Sequence, residues 1–316
     1  MDVGFIGIGK MGLPMAGHLL RGGYALTVHD ISRQAASPLI DAGAEWAESP
    51  RAVAERAEVI FTSLPGPTEI ESVVLGQDGI AEGVAAGTVY VDLSTCSQAL
   101  IQRIHDLLEP RGVSVLDGPV SGGRSGAIDQ TLAVYVGGDP AAFQRVRPLL
   151  ERFGDRVSYL GGSGSGTVAK LVHNMIYVVS QIAVAEGLTL GVKAGIDPEA
   201  LRQALEDGAY GQGNLLGRGV RDVVFKRNWE NAGSTLNTTL KDMRLALDLG
   251  ATLDVPLQIA ELAEREIELA IETGLGAFDP SASMMLQERR AGVELRVDER
   301  ADRNGGSAPE RRSDEL

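Results

Sequence analysis

A glycine-rich segment near the N-terminus has the spacing of a phosphate-binding loop. The segment Gly7-Ile8-Gly9-Lys10-Met11-Gly12 follows an apolar run and opens a stretch of helical character. Gly7 permits a tight turn, Gly9 lets the backbone approach a pyrophosphate, and Gly12 lets the helix pack against the strand. Free N–H groups at the helix N-terminus attract phosphate. The segment, Lys10 and Met11 included, predicts a dinucleotide site, and the alternative is a glycine turn without a ligand.

An acidic residue follows the glycines at the distance expected for ribose recognition. Asp30 closes the second strand candidate, about 20 residues beyond the glycines, where a carboxylate can accept hydrogen bonds from the adenosine ribose. The same charge repels a phosphate at that position, so the sequence favours NAD over NADP. Arg33, a little further on, is a residue that could compensate. Asp30 can also serve as the N-cap of a helix, and both roles are compatible.

Lys170 and Asn174 stand four residues apart, directly after a glycine-rich run at 161–166. Oxidising an alcohol by hydride transfer to nicotinamide requires a base, and the reverse reduction requires an acid. A lysine walled by apolar groups has a lowered pKa and fits both roles. Asn174 lies one helical turn later, on the same face, and can orient the hydroxyl. Two alternatives stay open: solvent-facing helix residues, and a plain linker at 161–166 in place of a hinge.

Ser121, Gly122 and Gly123 offer a hydroxyl and unobstructed N–H groups, which together favour a carboxylate-binding concavity. Arg124 either adds charge for an acidic substrate or is an ordinary exposed arginine. The four histidines show no metal-ligand spacing, so no metal is predicted. Cys96 is interpreted as a buried spectator, because no base motif accompanies it.

Composition limits the classes of partner. The chain has 316 residues, a net charge of −14 and one cysteine. This charge repels a phosphate backbone, so we expect no nucleic-acid partner but a small molecule or a protein. A single cysteine permits no intrachain disulfide, and no export signal is recognised at the N-terminus, so a cytoplasmic location is expected. The apolar stretch 175–185 is interpreted as a buried helix and not as a membrane span.

The order of the elements predicts an α/β fold. Apolar strand candidates alternate with helical segments up to about residue 160, which is typical of a doubly wound parallel sheet. From residue 167 onward the periodicity is helical throughout. We therefore predict a dinucleotide-binding domain over 1–163, an all-helical substrate and dimerisation domain over 164–294, and a charged, disordered tail over 295–316.

Six segments, in order, resemble the β-hydroxyacid dehydrogenase family, which includes 3-hydroxyisobutyrate dehydrogenase and tartronate semialdehyde reductase. The opening segment 4–16 is similar to the family's N-terminal signature, and Leu64-Pro65 and Asp92-Leu93-Ser94-Thr95 are similar to its cofactor loops. Segment 117–123, followed by Gly126-Ala127, resembles its substrate segment, and segment 164–174 its catalytic segment. In the helical domain, Leu240-Lys241-Asp242 resembles the segment that reaches the nicotinamide. The resemblance covers about residues 4–290.

The resemblance implies roles for individual residues. It implies cofactor contacts by Leu64, Pro65, Thr95 and Lys241, substrate contacts by Ser121, Gly122, Gly123 and Asn174, and acid–base catalysis by Lys170. Oligomerisation through the helical domain, as a homodimer or homotetramer, is also implied. The resemblance also implies that relatives preferring NADP carry an arginine at the position of Ile31. The isoleucine here therefore favours NAD.

Four positions depart from the family pattern. Gln130 replaces a glycine, His173 the first of two asparagines, Glu69 an asparagine and Ser234 an aromatic residue. These departures leave the substrate open among small hydroxy acids and semialdehydes. The expected activity is NAD-dependent oxidation of a 3-hydroxyisobutyrate-like acid. The alternatives are reduction of tartronate semialdehyde or another semialdehyde, an imine-reductase-like activity, and a non-catalytic NAD-binding sensor.

Overall fold

The computed structural model describes residues 1–230 and 233–297. The chain divides into two compact units, Met1–Tyr177 and Val178–Leu316. The division falls within a long helix, whereas the domain boundary predicted from the sequence lies just before that helix. Most of the tail predicted to be disordered lies outside the described residues.

The first unit is built on a nine-stranded sheet in the order β3-β2-β1-β4-β5-β6-β8-β7, with β9 paired to β8. The strands from β3 to β6 in this order are all parallel, which confirms the predicted dinucleotide-binding topology. Beyond β6 the sheet is mixed, because β8 runs antiparallel to β6 and to β7. The strands are β1 (Asp2–Ile6), β2 (Ala25–His29), β3 (Glu45–Trp46), β4 (Val59–Thr62), β5 (Val89–Asp92), β6 (Ser114–Asp117), β7 (Val120–Ser121), β8 (Ala133–Gly138) and β9 (Arg156–Gly161).

Helices cover both faces of this sheet, and each face has its own apolar layer. Phe5, Met15 and Val28 belong to one layer, and Ile60, Ile70 and Ile101 to the other. This two-sided burial explains why the strands read as continuous apolar runs. The helices are α1 (Gly12–Arg21), α2 (Arg33–Asp41), α3 (Pro50–Ala54), α4 (Pro67–Leu75), α5 (Ile80–Gly83), α6 (Gln98–Leu108), α7 (Gly123–Asp129), α8 (Pro140–Leu150) and α9 (Ser165–Lys193), with a 3₁₀ turn at Glu109–Arg111.

The second unit is helical throughout its described residues, as predicted. It begins within α9 and continues with α10 (Pro198–Asp207), α11 (Leu236–Thr252), α12 (Gln258–Ala270) and α13 (Met284–Ala291), with π-helical turns at Leu215–Val224 and Ile271–Leu275 and a 3₁₀ turn at Pro280–Ser283. Its core contains Val224, Leu236 and Ala270. Glu186 joins α9 to α12 inside this unit, because its carboxylate accepts the backbone N–H groups of Ile259 and Ala260 at 2.9 and 3.2 Å.

The expectation that the apolar stretch 175–185 is a buried helix is wrong for this chain. Met175 is 61% exposed, Tyr177 57% and Val179 49%. In length and composition, α9 is the one helix of the described residues that could cross a membrane, with none of its apolar window buried. One such helix is weak support for a span. Periodicity reveals that a helix is apolar, but it does not reveal what covers the helix.

Candidate active site

Eight residues predicted to bind the cofactor line one cavity of about 590 Å³ at the carboxyl ends of β1 and β2. Since parallel strands end at a common edge, loops that are distant in sequence converge there. The predicted residues in the lining are Gly7, Gly9, Lys10, Met11, Gly12, Asp30, Leu64 and Pro65. Thr95 and Lys241 do not line this cavity. Lys241 lies on α11 in the helical unit, where its ammonium is 2.6 Å from an Asp242 carboxylate oxygen.

The glycines have the steric roles that the sequence predicts. Gly7 has a φ of +91°, and a Cβ there would lie 2.3 Å from the Ser63 carbonyl oxygen. A Cβ on Gly12 would lie 1.9 Å from the Gly7 carbonyl oxygen, so the helix can start only if residue 12 is glycine. Gly9 differs, because its Cβ position faces open space. The loop therefore leaves room for a ligand beside Gly9, which fits a dinucleotide.

Asp30 connects the second strand to the glycine loop. One carboxylate oxygen accepts the Ile8 N–H at 2.7 Å, and the other accepts the Ser32 N–H at 2.8 Å. An ionised carboxylate has about four lone-pair directions, so it can still accept from a ribose hydroxyl. Ser32, not Asp30, occupies the N-cap position of α2. Asp30 therefore organises the loop and retains acceptor capacity toward the cavity.

A buried polar chain fixes the next two cofactor loops. The Ser94 hydroxyl accepts the Leu64 N–H at 2.9 Å, and one Asp92 oxygen accepts both the Thr62 hydroxyl and the Ser94 N–H. The other Asp92 oxygen is buried and has no partner among the described residues. Burial raises the pKa of Asp92 to about 6, although its hydrogen bonds oppose this effect. Asp92 thus ties the loop after β4 to the loop after β5.

Asp117 holds the start of the helix that carries Lys170. Its two oxygens accept the Gly164 N–H at 2.8 Å and the Thr167 N–H at 2.6 Å, and the residue is 1% exposed. Gly166 packs against the sheet here, since a Cβ would lie 2.0 Å from the Tyr135 carbonyl oxygen. The glycine-rich segment is therefore a close-packed junction at these positions, and Lys170 follows one turn after Thr167.

Lys170, the candidate acid/base, lies on α9 just beyond this junction. The side chain is partly buried, and burial lowers the pKa of its ammonium. His173 and Asn174 lie one turn further along the same face of α9. His173 Nε2 is 3.1 Å from the Ser121 hydroxyl, and its ring stacks on Tyr177. The structure therefore connects the predicted substrate segment to the catalytic helix through His173.

The glycines of the substrate segment adopt left-handed backbone conformations. Gly122 and Gly123 have φ values of +128° and +64°, and both are exposed. Gln130, at the end of α7, has a φ of +62°. This left-handed conformation favours glycine, which the family resemblance implies at this position, and in this chain a glutamine adopts it.

Sequence reasoning missed several residues of the site. His173 was recognised as a departure from the family pattern but not as the partner of Ser121. Asp92 and Asp117 belong to matched segments, yet their roles depend on hydrogen bonds to residues up to 50 positions away. Ser63 and Glu69 also line the cofactor cavity. The described residues contain no cluster of His, Cys, Asp or Glu that could hold a metal ion.

Family models match both parts of the chain. Residues 2–161 match the NAD binding domain of 6-phosphogluconate dehydrogenase. Residues 164–286 match the model described as NAD-binding of NADP-dependent 3-hydroxyisobutyrate dehydrogenase. Fold and site thus define an oxidoreductase with NAD(P)-binding domains.

Individual relatives agree with this class. The chain is 34% identical over 272 residues to 3-hydroxyisobutyrate dehydrogenase of Pseudomonas aeruginosa, covering 85% of this chain and 91% of the relative. It is 35% identical over 295 residues to 2-hydroxy-3-oxopropionate reductase of Escherichia coli, covering 93% and 100%. A structure of Mycobacterium tuberculosis 3-hydroxyisobutyrate dehydrogenase with L-serine has a TM-score of 0.63 at 27% identity, covering 90% and 98%. The chain belongs to the β-hydroxyacid dehydrogenase family.

Proposed function

We propose that this protein oxidises a small 3-hydroxy acid of the 3-hydroxyisobutyrate type with NAD, and that Lys170 is the general acid/base. The observation that carries the proposal is the placement of Lys170. This lysine has a lowered pKa and lies on the same helical face as His173, which reaches the Ser121 hydroxyl of the substrate segment. A fully solvent-facing helix lysine would not have a pKa lowered by burial.

Different residues of the site would perform different parts of this reaction. Bound nicotinamide would supply the hydride acceptor. Neutral Lys170 would take the hydroxyl proton during oxidation and return it during reduction. Asn174 would orient the hydroxyl, and Ser121 with the N–H groups of Gly122 and Gly123 would bind the carboxylate. Lys241 is proposed to reach the nicotinamide, and Thr95 to touch the cofactor.

Three observations support NAD over NADP. The Asp30 carboxylate lies in the cofactor cavity and would repel a 2′-phosphate. Arg33, the nearby cation that could compensate, lies 3.3 Å from a Glu48 oxygen and over the Trp46 ring at 5.4 Å. Ile31 also lines the cavity, fully exposed and without charge. We therefore expect kcat/KM to be higher with NAD, and a tenfold preference for NADP, about 1.4 kcal/mol, would contradict this proposal.

The substrate is best identified by a coupled assay with several candidate acids. The set contains 3-hydroxyisobutyrate, glycerate, 4-hydroxybutyrate, threonate and serine, with tartronate semialdehyde in the reducing direction. A relative from Pseudomonas aeruginosa, 38% identical over 210 residues, is named NAD-dependent L-serine dehydrogenase, so serine is an informative member. Turnover of 3-hydroxyisobutyrate with the highest kcat/KM is the expected result.

Two further outcomes would replace the proposal. An imine reductase from Myxococcus stipitatus has a TM-score of 0.80 at 19% identity, which shows a shared fold only. Turnover of cyclic imines without turnover of hydroxy acids would point to that activity. Binding of NADH without any turnover would point to a sensor.

A further inference from the structure

A second cavity, of about 700 Å³, lies on the outer side of the first unit between α1, α2 and α7. It shares only Gly9 and Lys10 with the cofactor cavity. Its volume lies within the range of roughly 300–1,000 Å³ that is usual for small-molecule sites. Apart from those two, none of the residues that the proposed function assigns to cofactor, substrate or catalysis lines it. Arg124, which the sequence offered as a possible extra charge for an acidic substrate, also lines this cavity, and the proposed reaction does not use it.

The charge of this cavity is opposite to that of the chain. Lys10, Arg21 and Arg124 line it, and no aspartate or glutamate is among its lining residues within the described ranges. The whole chain carries a net charge of −14. Many exposed arginines of the first unit pair with carboxylates, as Arg103 does with Glu71. In an acidic protein, a cavity lined by cations that have no carboxylate partner among the described residues favours an anion.

A hydrogen bond positions the Arg21 side chain, and no carboxylate among the described residues pairs with its charge. Its guanidinium donates to His18 Nδ1 at 2.7 Å. His18 Nε2 lies 3.0 and 3.1 Å from the carbonyl oxygens of Ala127 and Ile128 on α7, and must therefore carry the proton. His18 is buried, and burial lowers its pKa, with Arg21 adding to the effect. Because the partner of the guanidinium is a neutral imidazole, the positive charge is preorganised but not cancelled.

The rest of the lining is apolar, and it includes Leu13, Pro14, Leu39 and Ile128. Gly17 leaves room for the folded arginine, since a Cβ there would lie 3.2 Å from Arg21 Nη1. Cations beside an apolar wall match a ligand that has one charged end and one apolar part. We propose that this cavity binds a small amphipathic anion, a carboxylate or a phosphate monoester on an apolar chain, with Arg21 as its principal charged contact.

Calorimetry on the full chain, saturated with the preferred nicotinamide cofactor, tests this proposal. Hexanoate and hexyl phosphate are the probes, and their relative affinity distinguishes the two sources of the anion. Inorganic phosphate lacks the apolar part, and 1-hexanol lacks the charge. We expect at least one of the two six-carbon anions to bind about tenfold more tightly than inorganic phosphate and 1-hexanol, because each of these controls lacks either the apolar part or the charge.

Variants locate the bound probe. Arg21→Gln should weaken binding of the tighter hexyl anion by about tenfold, while Arg21→Lys retains most of the affinity. Arg145→Gln, on α8, is the matched control, because Arg145 is also exposed and its guanidinium donates to a backbone carbonyl, that of Gly87. This variant should not change the affinity. Oxidation of the hydroxy acid should be unaffected by Arg21→Gln, so a failure of the proposed activity is a separate result.

Several results would overturn the proposal. Probe binding that is seen with the cofactor-free chain but is lost on saturation with the cofactor would place the probe in the cofactor cavity. Equal affinity for inorganic phosphate would remove the apolar wall from recognition. Unchanged binding by Arg21→Gln, or no binding of either hexyl anion, would show that the cavity is not an anion site.

Discussion

Replacing Asp117 by asparagine should separate the positioning of Lys170 from simple helix stability. The carboxylate accepts two backbone N–H groups, from Gly164 at 2.8 Å and from Thr167 at 2.6 Å. An asparagine has one acceptor oxygen, so one N–H loses its partner and faces an NH₂ group. A hydrogen bond to a charged group contributes about 1.5–3 kcal/mol, and the unpaired N–H is buried. We expect Asp117→Asn to destabilise the first unit by about 2 kcal/mol.

Asp117→Asn should also lower kcat, by more than its loss of stability alone would explain. Thr167 lies less than one turn before Lys170, so a shift at the start of α9 moves the ammonium. A displacement of about 1 Å at a reacting group can lower a rate by about a hundredfold. We expect kcat for hydroxy-acid oxidation to fall by at least about tenfold while KM for NAD changes little. Asp117 makes no contact with the cofactor cavity, so cofactor affinity should be preserved.

A control of similar stability isolates the effect. Asp139 caps α8 in the same unit by accepting the Ala142 N–H at 2.7 Å. Asp139→Ala should reduce stability by about 0.5–2 kcal/mol, as the loss of an N-cap does. At 2 kcal/mol, either change lowers Tm by about 4–8 °C for a unit of this size. The control should therefore lower Tm with little change in kcat.

The pKa of Lys170 provides a readout that does not need a known substrate. Burial lowers this pKa in the intact protein. A loosened helix start admits water, so Asp117→Asn should move the pKa back toward the ordinary lysine value, and Asp139→Ala should not. NMR of methylated lysine can follow it. If Asp117→Asn lowers Tm but leaves kcat within about twofold and the Lys170 pKa unchanged, the positioning argument is wrong.

Further predictions concern other parts of the protein. Lys170→Ala should lower kcat by at least about a hundredfold while the affinity for NADH is retained. Lys170→Arg should also be inactive, because a guanidinium stays protonated and cannot act as the base. Near-normal steady-state kinetics of Lys170→Ala would exclude Lys170 from the mechanism. In wild type, oxidation should increase as pH rises through the Lys170 pKa, which lies below its usual value, and a pH-independent rate would contradict the base role. Burial raises the pKa of Asp92 to about 6, whereas its pKa in the unfolded chain is near 4. The stability that protonated Asp92 contributes is therefore present below about pH 4 and is lost as pH rises through 6. The urea midpoint of Asp92→Asn should rise relative to that of wild type between about pH 4 and 7, and a constant difference would refute this. His173→Ala should raise KM for the hydroxy acid more than KM for NAD, because it removes the partner of Ser121. The exposed apolar face of α9 should be covered in a homodimer or homotetramer, and light scattering that finds only a 33.3 kDa particle at micromolar concentration would contradict this.

The sequence alone was sufficient for the fold class and for the glycine loop, because both depend on local constraints. Short apolar runs predict the buried strands, and period-3.6 patterns predict the helices. Only glycine fits at Gly7 and Gly12, because a Cβ there would lie 2.3 and 1.9 Å from a backbone oxygen atom. The second strand candidate, which the sequence places directly before Asp30, is Ala25–His29 in the structure. The short strands Glu45–Trp46 and Val120–Ser121 were not predicted, because two residues are too few to form a recognisable apolar run.

Only the tertiary structure decided which side chains meet. The pairing of Ser121 with His173 and the capping of α9 by Asp117 join residues about 50 positions apart, and no local pattern encodes such contacts. The antiparallel direction of β8 relative to β6 is likewise visible only in the folded sheet. The burial of Asp92, and with it the raised pKa, is a property of the packed sheet. The free energies of burial and hydrogen bonding depend on which residues are neighbours in space. Those neighbours are known only once the whole chain has folded.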